Sequence, residues 1–279
     1  MRTISAAQIS DTVAELCIRA NRELPPDVEK AMKDAADREP WPIAADTLGI
    51  LCRNMDLARE KCLPVCQDTG LACVFAEIGQ DVRIEGDFEA AVNLGVSRGY
   101  TEGYLRKSVV GDPLRRENTG DNTPAAITVR LVPGDRLKLI VAPKGFGSEN
   151  MSRLAMLKPA DGLEGVKRFI VETVRLAGSN PCPPVIVGVG IGGTMEAAAL
   201  LAKRQLLRPL GRPSADPALA RIEREALAQI NASGIGPMGL GGVTTALAVH
   251  AAETPTHIAG LPVAVNMQCH ACRHAERRL

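Results

Sequence analysis

Apolar residues recur at helical spacing through the first sixty positions. In QISDTVAELCIRANREL, Ile9, Val13, Leu16 and Cys17 fall on one stripe. PDVEKAMKDAADRE and AADTLGILCRNMDLAREKC follow the same period, so helices joined by loops are expected over residues 5–62. PVCQDTG breaks the period and leads into LACVFAEI, which reads as a strand, and Asp87 then opens a helix, DFEAAVNLGVSRGYTEGYL. RKSVVGDPLRRENTGDNTP has almost nothing to bury. AAITVRLV and RLKLIVA alternate apolar and polar on either side of Pro-Gly-Asp, which predicts a β-hairpin. A polar, glycine-rich loop follows, KGFGSENMS. The last third reads as helix 161–177, strand PPVIVGVG, helix 194–208, helix 216–231, a glycine-rich turn and strand HIAGLPVAVNMQC. No repeat, low-complexity linker or clear boundary interrupts the chain. One domain over 1–279 is expected, α/β in class (mixed α+β), with a helical N-terminal part and small mixed sheets.

Composition narrows the classes. With 46% apolar residues and 33 Lys+Arg against 32 Asp+Glu, the 279-residue chain is globular rather than disordered. A net charge of +1 gives no electrostatic reason to expect nucleic acid or an anionic membrane surface. At 3% aromatic residues, base-stacking platforms would be hard to build. The start lacks the apolar core of a secretory signal. The long uncharged stretches, 176–195 and 226–252, are broken by Gly and Pro or polar residues and do not read as membrane helices. A cytoplasmic metabolic protein is the expectation.

Eight cysteines then become the question. A chain of this size can fold without disulfide staples. Cys17 and Cys52 lie in helical patterns and Cys73 in a strand pattern, where a thiol acts as a small hydrophobe. Cys62, Cys66, Cys182, Cys269 and Cys272 lie in or beside polar loops. PVCQDTG, RENTGDNTP, KGFGSEN and QCHACRH each concentrate groups that bind anions or metals. DTG could equally be a turn closed by an Asx hydrogen bond. Pro after Cys182 recurs next to iron–sulfur ligands. QCHACRH suits zinc, a redox dithiol or one corner of an iron–sulfur cluster, with Cys62 and Cys66 the best second pair for zinc. Gly188-Val-Gly190-Ile-Gly192-Gly193 satisfies the dinucleotide fingerprint. It has no acidic residue at a strand end about 20 residues on, and no second βαβ half. A tight strand-to-helix turn is the simpler reading.

Taken in order, LPVCQDTG, YLRKSVVGDPLRRENTGDNTPA, PKGFGSENMS, PCPPVIVGVGIGGT and HIAGLPVAVNMQCHACRH resemble the class I fumarate hydratases, specifically the α chain of the two-subunit form. L(+)-tartrate dehydratase α chains share the same frame. The resemblance implies a [4Fe–4S] cluster held by three cysteines, Cys66, Cys182 and Cys269, with one iron open; Cys272 matches no required thiol. It implies that Asp68 manages a proton near that iron. It also implies that Gln67, Arg106 and His257 grip substrate carboxylates. Gly147 and Ser148, in the KGFGSEN loop, are candidate substrate contacts through main-chain N–H groups.

An open iron acts as a Lewis acid, removal of the adjacent proton needs a base, and the developing charge needs neutralising. Arg suits a carboxylate through two-pronged pairing. Reversible hydration of fumarate to malate is the expected reaction, with tartrate or another hydroxy-diacid the alternative. The chain stops at Leu279, shortly past Cys269, so a separately encoded β chain is expected to complete the site, in an α₂β₂ assembly.

Overall fold

The fold is that of a computed structural model, and the residues described are 2–279. In chain order the elements are β1 (Arg2–Ser5), α1 (Ala6–Arg22), α2 (Pro26–Arg38), α3 (Pro42–Lys61), β2 (Leu71–Gly79), β3 (Val82–Glu85) and α4 (Phe88–Glu102). Then come β4 (Ala126–Val132), β5 (Leu137–Lys144), α5 (Phe146–Glu149), β6 (Arg153–Leu157), α6 (Gly162–Ala177) and β7 (Val185–Gly192). The chain continues through α7 (Met195–Gln205), α8 (Pro217–Asn231), β8 (Ala246–Thr254), β9 (Leu261–Gln268) and β10 (Ala275–Arg278). The class is mixed α and β, as the periodicities imply. No helix among the described residues is long and apolar enough to cross a membrane.

Backbone packing groups the chain into two compact units. Unit 1 comprises Met1–Pro25, Met55–Phe146 and Arg273–Leu279; unit 2 comprises Pro26–Asn54 and Gly147–Cys272. The chain passes between the units at several separate points, so no single composition shift could mark a boundary.

Unit 1 contains a four-stranded sheet in the order β10-β5-β2-β4. Helix α1 starts at a capping box, in which Ser5 and Gln8 satisfy each other's main-chain N–H groups. Its stripe of Ile9, Val13, Leu16 and Cys17 is fully buried, each large side chain contributing about 1.5–3 kcal/mol. In that apolar setting burial pushes the Cys17 thiol up to about 12, which leaves it inert. Helix α4 packs beside it, and Gly95 and Gly99 set the spacing. A Cβ on either would lie within 2.8 Å of an α1 carbonyl oxygen.

The expected hairpin is corrected here. β4 and β5 both form, but they do not pair: β2 lies between them, parallel to β4 and antiparallel to β5. β2 is buried over most of its length and takes the central place. The Pro-Gly-Asp segment instead wraps the end of β2, where Gly79 N–H donates to Arg136 O and Asp81 N–H to Gly134 O. A Cβ on Gly79 would sit 2.2 Å from Gly134 O, so the crossing requires glycine there.

Unit 2 contains the second four-stranded sheet, β6-β9-β7-β8. β7 is buried along its whole length and pairs parallel to β8 and antiparallel to β9. The glycine fingerprint resolves into two functions. Gly188 and Gly190 lie within β7, where a Cβ would meet the Ala202 and Ala198 carbonyl oxygens of α7 at 2.2 Å. Gly192 and Gly193 have φ of 87° and 71° and make the turn into the helix. Close helix-on-strand packing therefore accounts for the motif. Strand β8 is absent from the sequence reading, which extended a glycine-rich turn through it. The short strands β1, β3, β6 and β10 are also additions. β10 is three-quarters exposed, so its residues AERR give no apolar alternation to read.

Candidate functional site

The Cys66–Gly70 turn enters β2, and unit 1 holds it from below. Thr69 and Gly70 are buried, Cys66 and Asp68 half-buried, and Gln67 exposed. Three successive carbonyls accept hydrogen bonds from buried side chains. Arg273 Nη2 donates to Asp68 O. The Tyr100 hydroxyl lies 2.7 Å from Thr69 O and 2.9 Å from Gly70 O, and Asn122 Nδ2 donates to Gly70 O at 3.2 Å. Burial pushes the Tyr100 phenol up, which keeps its proton available for donation.

Thr69 and Asn122 tie this turn to the segment carrying Arg106. Thr69 Oγ1 donates to Arg106 O at 2.8 Å. Asn122 Oδ1 accepts from the N–H groups of Ser108 and Val109, at 2.7 and 3.2 Å. Unit 1 thus brings the turn of Gln67 and Asp68 against the main chain of Arg106. The Gln67 and Arg106 side chains are exposed, while the groups that anchor them are buried.

The Asx turn foreseen in DTG is present, with Asp68 Oδ1 accepting from Gly70 N–H at 3.0 Å. Asp68 also has a second role. Its Oδ2 accepts from Phe146 N–H at 2.9 Å, which draws the KGFGSEN loop to it. Gly145 leaves room for that approach, since a Cβ there would lie 3.1 Å from Oδ2. Both carboxylate oxygens therefore act as acceptors, as an ionised carboxylate can.

Unit 2 holds Gly147, Ser148, Cys182, His257 and Cys269. Cys182 sits at the strand entry with φ of 54°. Its carbonyl accepts from His270 N–H at 3.3 Å and from His270 Nδ1 at 3.1 Å, so the Cys182 and Cys269 turns meet through the residue after Cys269. That contact fixes the ring with its proton on Nδ1. The glycine-rich segment after α8 packs on the same turn. Met238 N–H donates to Pro183 O at 2.8 Å, and a Cβ on Gly239 would lie 2.4 Å from Ser179 Cβ. Glu39 fastens the far end of the segment, accepting from Val243 N–H at 3.0 Å and from the Thr244 hydroxyl at 2.6 Å.

Of the remaining expected residues in unit 2, Gly147 approaches Asn180 O, with a Cβ position 3.5 Å away. Ser148 is buried and Gly147 exposed. His257 is exposed on the β8–β9 connection, and its Nδ1 accepts from Ala259 N–H at 3.2 Å. Cys272 is buried, with its thiol 3.6 Å from Leu206 O.

The donor set suits iron–sulfur chemistry. Cys66, Cys182 and Cys269 are half-buried thiols, and no cysteine among the described residues is in a disulfide. No three Cys, His, Asp or Glu side chains among the described residues form a site for a single metal ion. A cluster differs in spreading its thiolates over several irons. The buried Arg273 adds a second fitting feature. Its Nε and Nη1 meet no protein acceptor, while its Nη2 holds Asp68 O, so a buried positive charge is tied to the turn that carries Cys66.

The sequence reading did not single out Tyr100, Asn122, Arg273 or Gly239, and it noted His270 only as a flank of the C-x-x-C pair. Asn122, Arg273 and His270 lay inside segments quoted for their polarity. Tyr100 carried only the signal of a helix stripe.

A sequence signature described as fumarate hydratase (Fumerase) matches residues 10–278. A protein of Methanocaldococcus jannaschii, provisionally named L(+)-tartrate dehydratase subunit alpha, is 44% identical over 280 residues, covering 98% of each chain. L(+)-tartrate dehydratase subunit alpha of Escherichia coli strain UTI89 is 31% identical over 276 residues, covering 98% of this chain and 91% of its own. The counterpart in E. coli strain K12 is 30% identical over 270 residues, covering 95% and 89%.

Proposed function

The chain belongs to the fumarate hydratase (Fumerase) family, and on that premise we propose that it is the α-type chain of an iron–sulfur hydro-lyase acting on L(+)-tartrate. The observation that carries the substrate is near full-length similarity to proteins named as tartrate dehydratase α subunits. It supports tartrate ahead of fumarate, the reverse of the order expected from the sequence.

In this reading Cys66, Cys182 and Cys269 hold a [4Fe–4S] cluster within one hydro-lyase domain spanning 1–279. When bound, the cluster supplies a Lewis-acidic iron toward a substrate hydroxyl and carboxylate.

The chain's own residues do the rest. Arg106, exposed and anchored by its main chain to Thr69, offers a planar fork to a substrate carboxylate. Gln67 and His257 add exposed polar groups, and the Gly147–Ser148 segment adds main-chain N–H groups. Asp68 transfers a proton. The N–H groups of Gly70 and Phe146 each use one lone pair of its carboxylate and leave the others available.

The relatives' designation as α subunits supports a separately encoded β chain; an α₂β₂ assembly in the cytoplasm is part of the same proposal. A diacid needs its far end held and a base on the correct face, which the partner supplies.

Anaerobic co-expression with the cognate β chain, assayed on L(+)-tartrate, malate and fumarate, tests the reading. Tartrate should give the highest kcat/KM, and the α chain alone should be inactive. Fumarate turned over tenfold better than tartrate would return the substrate to fumarate. Turnover of none of the three by an iron-loaded complex would sink the hydro-lyase reading.

A further inference from the structure

Arg273 is 3% exposed, yet among the described residues it has no ion-pair partner. One of its donors, Nη2, reaches the main-chain carbonyl of Asp68; Nε and Nη1 are buried without a protein acceptor. Its charge reaches Tyr100, where it opposes the rise that burial imposes on the phenol. Burying a cation is costly unless an opposite charge compensates it. A role limited to holding the Asp68 carbonyl would not explain the residue type, because a neutral amide donor would serve. The functional groups nearest along the chain it grips are the Asp68 carboxylate, on the gripped residue itself and already accepting from Gly70 and Phe146 N–H, and the Cys66 thiol two residues before.

We propose that Arg273 is a positioning residue that serves as the internal counter-charge of the Cys66 turn: it pins the turn through Asp68 O and offsets the negative charge that thiolate-bound iron and a dicarboxylate bring. The inference rests on the cluster reading above. Its buried atoms cannot touch substrate, so the effect passes through the turn and through the field. A positive charge near an anionic redox centre favours the reduced, more negative form, and so raises the potential.

The test compares Arg273→Gln with Arg273→Lys in the anaerobically purified αβ complex. Both side chains can donate to Asp68 O, and only Lys keeps the charge. Iron and sulfide content, the cluster's midpoint potential from an EPR-monitored redox titration, and kcat and KM for tartrate are read in each. Arg273→Gln should lower the midpoint potential and reduce kcat about 10–100-fold, the usual scale for a group behind the ligands. Arg273→Lys should hold the wild-type potential and recover most of kcat. An unchanged potential in Arg273→Gln, or equal shifts in both variants, would overturn the proposal while leaving the cluster reading intact. If Arg273→Gln does not accumulate, the Lys variant decides: a lowered potential there contradicts the counter-charge. A wild type without iron and sulfide would remove the cluster reading, and this inference with it.

Discussion

In unit 1 the carbonyls of Asp68, Thr69 and Gly70 are tied one by one to buried side chains of Arg273, Tyr100 and Asn122. In unit 2 the turn before Cys182 is shaped by main-chain bonds, by His270 and by a glycine segment whose Gly239 lies too close to Ser179 for a Cβ. Both turns present a half-buried thiol, but their construction differs. The first is chiefly an assembly of separable polar contacts, each worth about 0.5–1.5 kcal/mol, with Gly70 alone packed too closely on the Lys144 main chain for a Cβ. The second is a steric fit, where one methyl group must displace its neighbour. Damage should therefore be graded at the polar contacts of the first turn and abrupt at the glycines packed against the second.

The largest effect should come from the unit 2 thiols. Cys182→Ser and Cys269→Ser are expected to lose iron and sulfide and at least 100-fold in activity, whereas Cys272→Ser should keep both. Elemental analysis of anaerobic preparations decides, and retained cluster in Cys269→Ser with loss in Cys272→Ser would reverse the ligand assignment. Next in size is Asp68→Asn, expected to keep iron but lower kcat about 10²–10⁴-fold, the range for removing a general acid–base. The amide can accept only one of the two main-chain bonds well, so some loss of stability should accompany it.

Gly239→Ala tests the steric half of the comparison. Its Cβ would press on Ser179 at a φ of 79°, for a combined cost of about 3–4 kcal/mol. Denaturant melts should show that loss. A variant as stable as wild type would mean the segment is soft.

Unit 2 also carries a pH-dependent term. Burial, with the Arg208 charge adding to it, pushes the His250 imidazole down to about 4. The unfolded chain takes up this proton below pH 6.5, the folded chain only near 4. Stability contributed by the neutral ring is thus fully present above 6.5 and is lost as pH falls toward 4, by roughly 3 kcal/mol. Melting curves against pH should lose that part of their slope in His250→Gln. The smallest effect should be Tyr100→Phe in unit 1. It removes the phenol's bonds to Thr69 O and Gly70 O for about 1–2 kcal/mol, with kcat/KM down several-fold.

How far such details were legible depends on whether they leave a periodic trace. The long helices were visible because their stripes repeat every three to four residues. α1 begins and ends within a few residues of its expected limits. Strand partners left no such trace. β4 and β5 were visible as strands, but only the buried character of β2 explains why it separates them. Strand β8 was hidden behind the glycine-rich segment before it. At the site, the polar loops stood out because they bury so little, and the Asx turn of Asp68 follows from its residue types. The anchors of those loops did not stand out. Tyr100 serves the helix stripe and the turn at once, and Arg273 reads as one more charge near the C-terminal end of the sequence. Their roles come from long-range contacts with Thr69 and Asp68, which no local pattern encodes.

The central claim of the proposal is that Cys66, Cys182 and Cys269 hold one cluster, and Cys66 is the thiol carried by the turn into β2. Iron and acid-labile sulfide should be measured in wild type and Cys66→Ser, purified anaerobically side by side as complexes with the β chain. The account predicts [4Fe–4S] stoichiometry in wild type and loss of both elements in Cys66→Ser. A fully loaded Cys66→Ser variant, or a wild type carrying zinc in place of iron and sulfide, would contradict it.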